Sequence, residues 1–421
     1  MELKYGRSKL EFELAADRVK AVLTAAEKPG LDSPLDEVAS ALENPIGTAS
    51  LAQLLAKKQQ NKELNKVVIV VNDVTRYTPY QYLLPPLLDK LAAAGIRKKA
   101  ITFVIATGVH AAHSAAQNRE IFGNKIVDNY NFIFHNCEHD LIELGSLSTG
   151  NILKLNRQVA EADFLITTGV ILPHYMAGFS GGRKSILPGV AGRQTIQNNH
   201  AMMAKVLDQQ PALSDNPISQ EMFEAAALVG VDFILNVVTN SKREIVQVVA
   251  GDCQKAWQAG IATSAEMYHL PLQEKAEVAI VSSGGFPRDI NIYQAQKALD
   301  HADQAVKSRG TIIWLAECSE GYGERTFKKW MDEAIKPVDN MTRIANGFLL
   351  GGHKAFAISK VALKKEIILI SQLSSSATKN IFARKANSLQ EAINYVEQKY
   401  NSNYSAYILP QGSLTVPVLD N

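Results

Sequence analysis

In the segment GFSGGRKSILPG, residues 178–189, glycines run into Lys184 and Ser185, a combination with which backbone amides cradle a phosphate while a lysine reaches it. The phosphate-loop pattern GxxxxGK[ST] nevertheless fails by one residue. Counting from Gly178, Arg183 stands where the second glycine is required, and its Cβ obstructs close approach of a phosphate to the backbone. A lysine on a tight glycine turn has other chemistry open to it, as an amine nucleophile or covalent attachment point, because burial or a neighbouring cation such as Arg183 favours the neutral amine. The plainer alternative is a glycine-rich turn with a solvated lysine. Against it stand two imidazoles, His174 four residues before Gly178 and His200 in NNHAM.

Asp73, Thr75 and Arg76, in DVTR, directly follow the apolar run KVVIVVN. They read either as a helix cap beside a surface arginine or as a clamp in which Arg76 grips a carboxylate or phosphate through two parallel hydrogen bonds. In ATGVHAAHS, His110 follows a glycine turn, where backbone opens toward a ligand, and His113 is spaced to share its face on a starting helical turn. Tyr293 and Lys297 in NIYQAQKALD are four residues apart, hence on one helix face, solvated or turned to a ligand. His135, Glu138 and His139 in HNCEHD match the H-x-x-E-H pattern of a zinc hydrolase. That pattern needs a helix to bring both imidazoles to one face, whereas this copy follows the strand-like NFIF. His269 and His301 receive no role.

The elements that must hold these groups alternate between β-branched apolar runs and helical segments, the pattern of an α/β fold. KVVIVVND precedes a helix near PPLLDKLAAAG, AITFVIATG precedes HSAAQNREIFG, and DFLITTG leads into the glycine segment. A second series starts at EVAIVSSGG, continues through the helix IYQAQKALDHADQAV, and gives GTIIWLAE and EIILIS as strands. The restart predicts a domain boundary near residue 272, with domains over 1–272 and 273–403 and with 404–421 crossing back to the first. Ligands of α/β sheets sit at the carboxyl ends of strands. DVTR, ATGVH and the segment ending in GGRKS all follow strands, so three strand ends are expected to feed one site.

A chain of 421 residues exceeds what one core serves, in keeping with two domains. A net charge of +2 gives no general field for nucleic acid or anionic lipid, so any anion is bound locally. Cys137, Cys253 and Cys318 are too scattered for a disulfide framework or thiolate cage and persist in a reducing compartment, which makes the cytoplasm the expected location. The start MELKYGRSKLEFEL has no apolar signal core, and no run of about 18 apolar residues follows, so neither secretion nor a membrane span is expected.

DVTR, ATGVH, PHYMAGFSGGRKSILPG, NNH and NIYQAQK, with LENPIG upstream, stand in the order and spacing of the nickel-dependent lactate racemase family, which the sequence resembles from about residue 40 to its carboxyl terminus. The resemblance implies two α/β domains with the active site in the interdomain cleft, and a nickel-pincer nucleotide derived from nicotinic acid. Lys184 would form a thioamide with that cofactor and His200 would ligate nickel. Enzymes that make and insert the pincer would be maturation partners. The implied reaction is racemisation or epimerisation at C2 of a 2-hydroxy acid by reversible hydride transfer from Cα to the pyridinium, with a transient 2-keto acid. This route avoids removing an α-proton that the adjacent carboxylate makes poorly acidic. Two bases serve the two enantiomers, by resemblance His110 and His174, since an imidazole with its ordinary pKa of about 6.5 exchanges protons near neutrality. Arg76, Tyr293, Gln294 and Lys297 would position the substrate carboxylate and developing oxyanion. Asp73, Thr75, Arg76, Ser180, Gly181 and Gly182 would hold the cofactor's ribose or phosphate.

One stretch departs from the family pattern. Lactate-specific members carry a bulky aromatic near the substrate, and the ungapped alignment sets His353 there, in FLLGGHKAF, with Phe356 nearby. A histidine at that place accommodates a larger or more polar hydroxy acid. Two further readings compete: a zinc hydrolase on His135, Glu138 and His139, and a non-catalytic nucleotide sensor, which has no use for the two bases.

Overall fold

The computed structural model describes residues 1–209 and 211–420. The chain forms two compact α/β units, Glu27–Ala265 and the combination of Met1–Ala26 with Glu266–Asn421.

The first unit is built on a six-stranded sheet in the order Ile245–Gly251, Phe233–Thr239, Phe164–Val170, Val67–Asn72, Ile101–Ala106, Asn131–Phe134. All neighbours are parallel except the antiparallel edge strand Ile245–Gly251. Strands covered on both faces read as unbroken apolar runs rather than alternating ones, and FLITTGV and FILNVVT are buried at every position. From its central strand Val67–Asn72 the chain moves outward through Ile101–Ala106 to Asn131–Phe134, then returns to place Phe164–Val170 on the other side. That reversal is a topological switch point, where two neighbouring strand ends lead away from each other and leave a crevice for a ligand. DVTR follows one of the two strands, and the segment leading to GGRKS follows the other.

The helix expected near PPLLDKLAAAG begins earlier, at Tyr80, and runs to Ala93, so Pro85 and Pro86 lie inside it. Tyr80, Leu83, Leu84, Leu87, Leu88 and Leu91 bury its inner face, and this packing offsets the backbone bonds that the prolines remove.

The second unit repeats the logic with an all-parallel sheet ordered Arg384–Ala386, Glu366–Ile370, Val306–Leu315, Ala276–Ser282, Ala406–Leu409, Val19–Val22. Its switch point lies between Ala276–Ser282 and Ala406–Leu409, and the SSGGFPRD loop there leads into the helix Ile292–Ala305.

Two expectations about the domains are corrected. Residues 404–421 do not return to the first unit: Ala406–Leu409 is an interior strand of the second sheet, and Val416–Leu419 pairs with His269–Leu272 in the same unit. Nor does the first unit begin at residue 1, because Val19–Val22 pairs with Ala406–Leu409 and carries the amino terminus into the second unit. The division falls at Ala265, slightly before the expected boundary.

An interior place for the 406–409 strand has a measurable consequence. Ile408 is 1% exposed, and Ile408→Ala is expected to lower the unfolding free energy by about 2–5 kcal/mol in urea titration. Ile335→Ala, at a side chain 92% exposed, is expected to stay within about 0.5 kcal/mol of the unsubstituted chain.

Candidate active site

The Val67–Asn72 strand runs into a turn closed by the Arg76 N–H donating to the Asp73 carbonyl at 3.1 Å. Asp73 Oδ1 accepts from the Thr75 backbone N–H at 3.1 Å and from its hydroxyl at 2.6 Å, so the carboxylate shapes its own turn. Oδ2 faces His110 Nδ1 at 2.7 Å. The Asp73 side chain is 3% exposed and that of His110 48%. Burial pushes the Asp73 carboxyl up, but the hydrogen bonds of His110 and Thr75 and the charges of His110 and Arg76 outweigh it and hold the group below its ordinary range. An ionised carboxylate only accepts, so Nδ1 of His110 carries the proton and Nε2 the lone pair, the arrangement of a carboxylate-oriented general base.

DVTR is therefore not a helix cap, since the next helix starts at Tyr80 behind Pro79. Asp73 and Thr75 bond to each other and to His110, and their expected hold on a ribose or phosphate gains no support from this geometry. Arg76 is exposed, with Nη1 donating to the Thr75 carbonyl at 3.2 Å.

The glycine segment is held from below. Gly181 has φ +79° and Gly182 φ +50°. A Cβ on Gly181 would meet Ile171 at 2.7 Å and Asn236 Oδ1 at 2.9 Å, so both backbone and space demand glycine. The Gly182 N–H donates to Asn236 Oδ1 at 2.7 Å, the Ser180 N–H to the Leu172 carbonyl at 2.8 Å, and the Ser180 hydroxyl to the Val170 carbonyl at 2.7 Å. Trp257 Nε1–H donates to the Ser180 carbonyl at 2.8 Å. The amides of Ser180 and Gly182 are thus spent inside the fold, contrary to the expectation that they serve a phosphate. Arg183 is fully buried and faces inward, its guanidinium 3.6 Å from the Trp257 ring centroid and donating to the Ala177 carbonyl and Ser219 Oγ, each at 2.8 Å. Burial lowers its pKa to about 9, so it anchors the loop as a cation. Lys184 follows in the short turn Gly182–Ser185 and is partly exposed.

His174 stands on a two-residue strand opposite Gly178, with its Nδ1 accepting from the Ala177 N–H at 3.4 Å and its ring stacked on Tyr175. His200, on the helix Arg193–Ala201, is buried. Burial, and then the charge of Lys184, push its pKa down to about 3, leaving the neutral imidazole that a metal requires. Among the described residues no group of three or more His, Cys, Asp and Glu side chains is arranged to hold a metal ion. Among the described residues, His200 thus offers a metal one neutral nitrogen donor.

The ATGVH turn joins this assembly through the Gly108 N–H, which donates to the Gly189 carbonyl at 2.9 Å. Asp73, Thr75, His110, His174 and the Lys184 loop thus gather at the ends of three adjacent strands, as expected. Three residues that the sequence reading missed hold them there. Tyr80 bonds through its hydroxyl to the Asn72 N–H and to Thr168, and burial pushes its pKa up to about 12. Asn236 and Trp257 brace the glycines. An asparagine inside the strand FILNVVT was the one available signal.

In the second unit, Tyr293, Gln294 and Lys297 lie on Ile292–Ala305, whose cap Asn291 accepts from the Gln294 N–H at 3.0 Å. The Tyr293 and His353 rings meet edge to face at 6.0 Å, and His353 stacks on Phe348. The unassigned Lys354 donates to Gln296 at 2.7 Å and lies 5.6 Å from the Tyr293 ring centroid.

HNCEHD is not a metal motif. It forms an irregular stretch after Asn131–Phe134, His135 is buried with Nε2 2.9 Å from the Ala191 carbonyl, and Glu138 is paired with Arg193. His113 lies ahead of the helix Ala115–Phe122 rather than on its first turn, buried against Phe134 and bonded to Asn118.

If His110 holds the Asp73 carboxyl down, Asp73 should titrate below the ordinary value of about 3.9 in carbon-detected NMR. His110→Ala removes both a hydrogen bond and a charge that lower it, so the midpoint should rise. An unchanged midpoint would break the link.

The families described as the lactate racemase N-terminal and C-terminal domains match residues 5–210 and 272–418. The chain is 35% identical to the lactate racemase of Thermoanaerobacterium thermosaccharolyticum across 98% of its own length and 97% of that protein's. It is 30% identical to the lactate racemase of Lactiplantibacillus plantarum across 93% of each. The solved lactate racemase apoprotein from T. thermosaccharolyticum superposes with a TM-score of 0.91 at 33% identity, covering 99% of both chains. A Thermotoga maritima protein, at 17% identity and a TM-score of 0.65, covers 93% of this chain and 100% of its own and shares the fold alone. With both family domains matched in order and two relatives aligned almost end to end, the chain belongs to the lactate racemase family.

Proposed function

We propose that the chain is a cytoplasmic racemase of lactate, or of a larger or more polar 2-hydroxy acid, working with a nickel-pincer nucleotide attached through Lys184. The observation that carries this is the carboxylate-oriented imidazole of His110 at the strand ends that also bear His174 and the Lys184 loop. When bound, the cofactor supplies the hydride acceptor. The protein's residues do the rest. Nε2 of His110 takes the hydroxyl proton of one enantiomer, and Asp73 stabilises the imidazolium that forms. His174 serves the other enantiomer: when one base takes the hydroxyl proton, the other gives a proton to the oxygen of the inverted product, and the roles exchange in the reverse direction. Arg76 grips the substrate carboxylate with paired donors. Tyr293, Gln294 and Lys297, together on the helix Ile292–Ala305, are the polar groups that the second unit offers a hydroxy acid. His200 holds the metal through its neutral ring.

The relatives named lactate racemase support lactate as substrate, while His353, beside Tyr293, supports a polar relative. Enzymes that build and insert the pincer act as maturation partners. No helix among the described residues is long and apolar enough to cross a membrane.

Chiral chromatography on chain matured with nickel and the pincer-synthesis enzymes should show interconversion of the two enantiomers. His110→Ala should slow it by about 10²–10⁴-fold, the usual contribution of a general base, and Asp73→Asn should slow it less. Full activity in His110→Ala would refute the assignment. Rates compared on lactate, malate and an aldonic acid decide the substrate, and a clear win for lactate rejects the role given to His353.

A further inference from the structure

The helix Pro217–Val229 carries a buried carboxylate for which the chemistry above has no use. Glu221 is 1% exposed, and such a burial is costly unless hydrogen bonds replace the lost water. Its Oε1 accepts from the Thr149 hydroxyl, and its Oε2 from Asn151 Nδ2 at 3.2 Å and Asn199 Nδ2 at 2.7 Å. Asn198 joins the same network by donating to Asn151 Oδ1 at 3.0 Å. Both asparagines of NNH, residues poorly suited to a helix interior, are therefore engaged in one polar cluster beside His200.

The network settles which way Asn199 points. Its Nδ2 donates to Glu221 and also lies 3.3 Å from the Ile218 carbonyl. A flipped amide would set its oxygen against a carboxylate. Oδ1 therefore faces His200 Nδ1, at 3.1 Å. An amide oxygen only accepts, so Nδ1 carries the proton and the lone pair of the ring lies on Nε2. A histidine that binds a metal through one nitrogen commonly has the other held by such an acceptor, which sets ring orientation and basicity. Two residues before Glu221, Ser219 accepts from Arg183. One helix thus pins the neighbours of both Lys184 and His200.

We propose that Asn199 and Glu221 are positioning residues that fix His200 as the Nδ1–H tautomer and so present Nε2 to the metal. The proposal rests on the reading of His200 as the nickel ligand, but its first test needs no cofactor. In apoprotein labelled with 15N-histidine, long-range proton–nitrogen correlation, assigned with a His200→Gln variant, should find His200 in the Nδ1–H form. An Nε2–H ring would overturn the proposal.

Asn199→Leu removes the acceptor and should move the ring toward Nε2–H. In matured protein it should also weaken nickel retention by about 10–100-fold, the usual effect of losing an outer-shell partner, measured as nickel per Lys184 adduct. Glu221→Gln can turn its amide nitrogen to the Thr149 hydroxyl and still accept from Asn199, so it should keep both tautomer and nickel. Unchanged nickel in Asn199→Leu protein that bears the adduct would also overturn the proposal. Absence of any adduct on the unsubstituted chain would instead defeat the Lys184 reading and leave the tautomer result standing.

Discussion

The parallel register of the first sheet is the constraint on which the site depends. Asn72 pairs with Ala106, so the Val67–Asn72 and Ile101–Ala106 strands leave the sheet at the same level and release Asp73 and the ATGVH turn side by side. A slip of one residue would turn every side chain of a strand to the opposite face and separate Asp73 from His110. On the other flank Val70 pairs with Thr167, and the Ser185 hydroxyl donates to the Thr168 carbonyl at 3.2 Å, which ties the Lys184 turn to the same level. The Asp73–His110 bond and the place of Lys184 follow from one sheet geometry.

Around that frame, buried polar groups replace the apolar packing found elsewhere. Arg183 under Trp257, Asn236 under Gly182, Tyr80 between two strand ends and Glu221 under Asn199 are each buried and hydrogen-bonded. Such groups add little net stability, because their bonds only replace bonds to water. What they supply is a single arrangement of the backbone. A glycine turn with two left-handed residues has many alternatives, and a set of fixed acceptors and one aromatic cage remove them.

Much of this was legible in the sequence. Continuous β-branched runs marked the buried parallel strands, and the glycine and histidine motifs beyond them marked the candidate site at the strand ends. Arg183 visibly breaks the phosphate-loop pattern in GFSGGRKS, and the fold shows why an arginine stands there: it is a buried anchor. Two kinds of information stayed hidden. Val19–Val22 and Ala406–Leu409 are strands of four residues that pair across almost the whole chain, and short segments carry no signal of such a distant partner, so the domain limits were misread. Side-chain partnerships were the other. Asp73 sat in a motif that suited ligand binding, and only its 2.7 Å approach to His110 revealed that its partner is an imidazole of this chain. His135 and His139 had the spacing of metal ligands, but no helix lies beneath them.

The central claim is that Lys184 is a covalent tether. It is tested most directly by intact-mass measurement and peptide mapping of the chain produced with nickel and the pincer-synthesis enzymes, against chain produced without them. The account predicts a mass increase of nucleotide size confined to the peptide bearing Lys184 and absent from Lys184→Ala. An unmodified Lys184, in a host where another lactate racemase acquires the adduct, would contradict it.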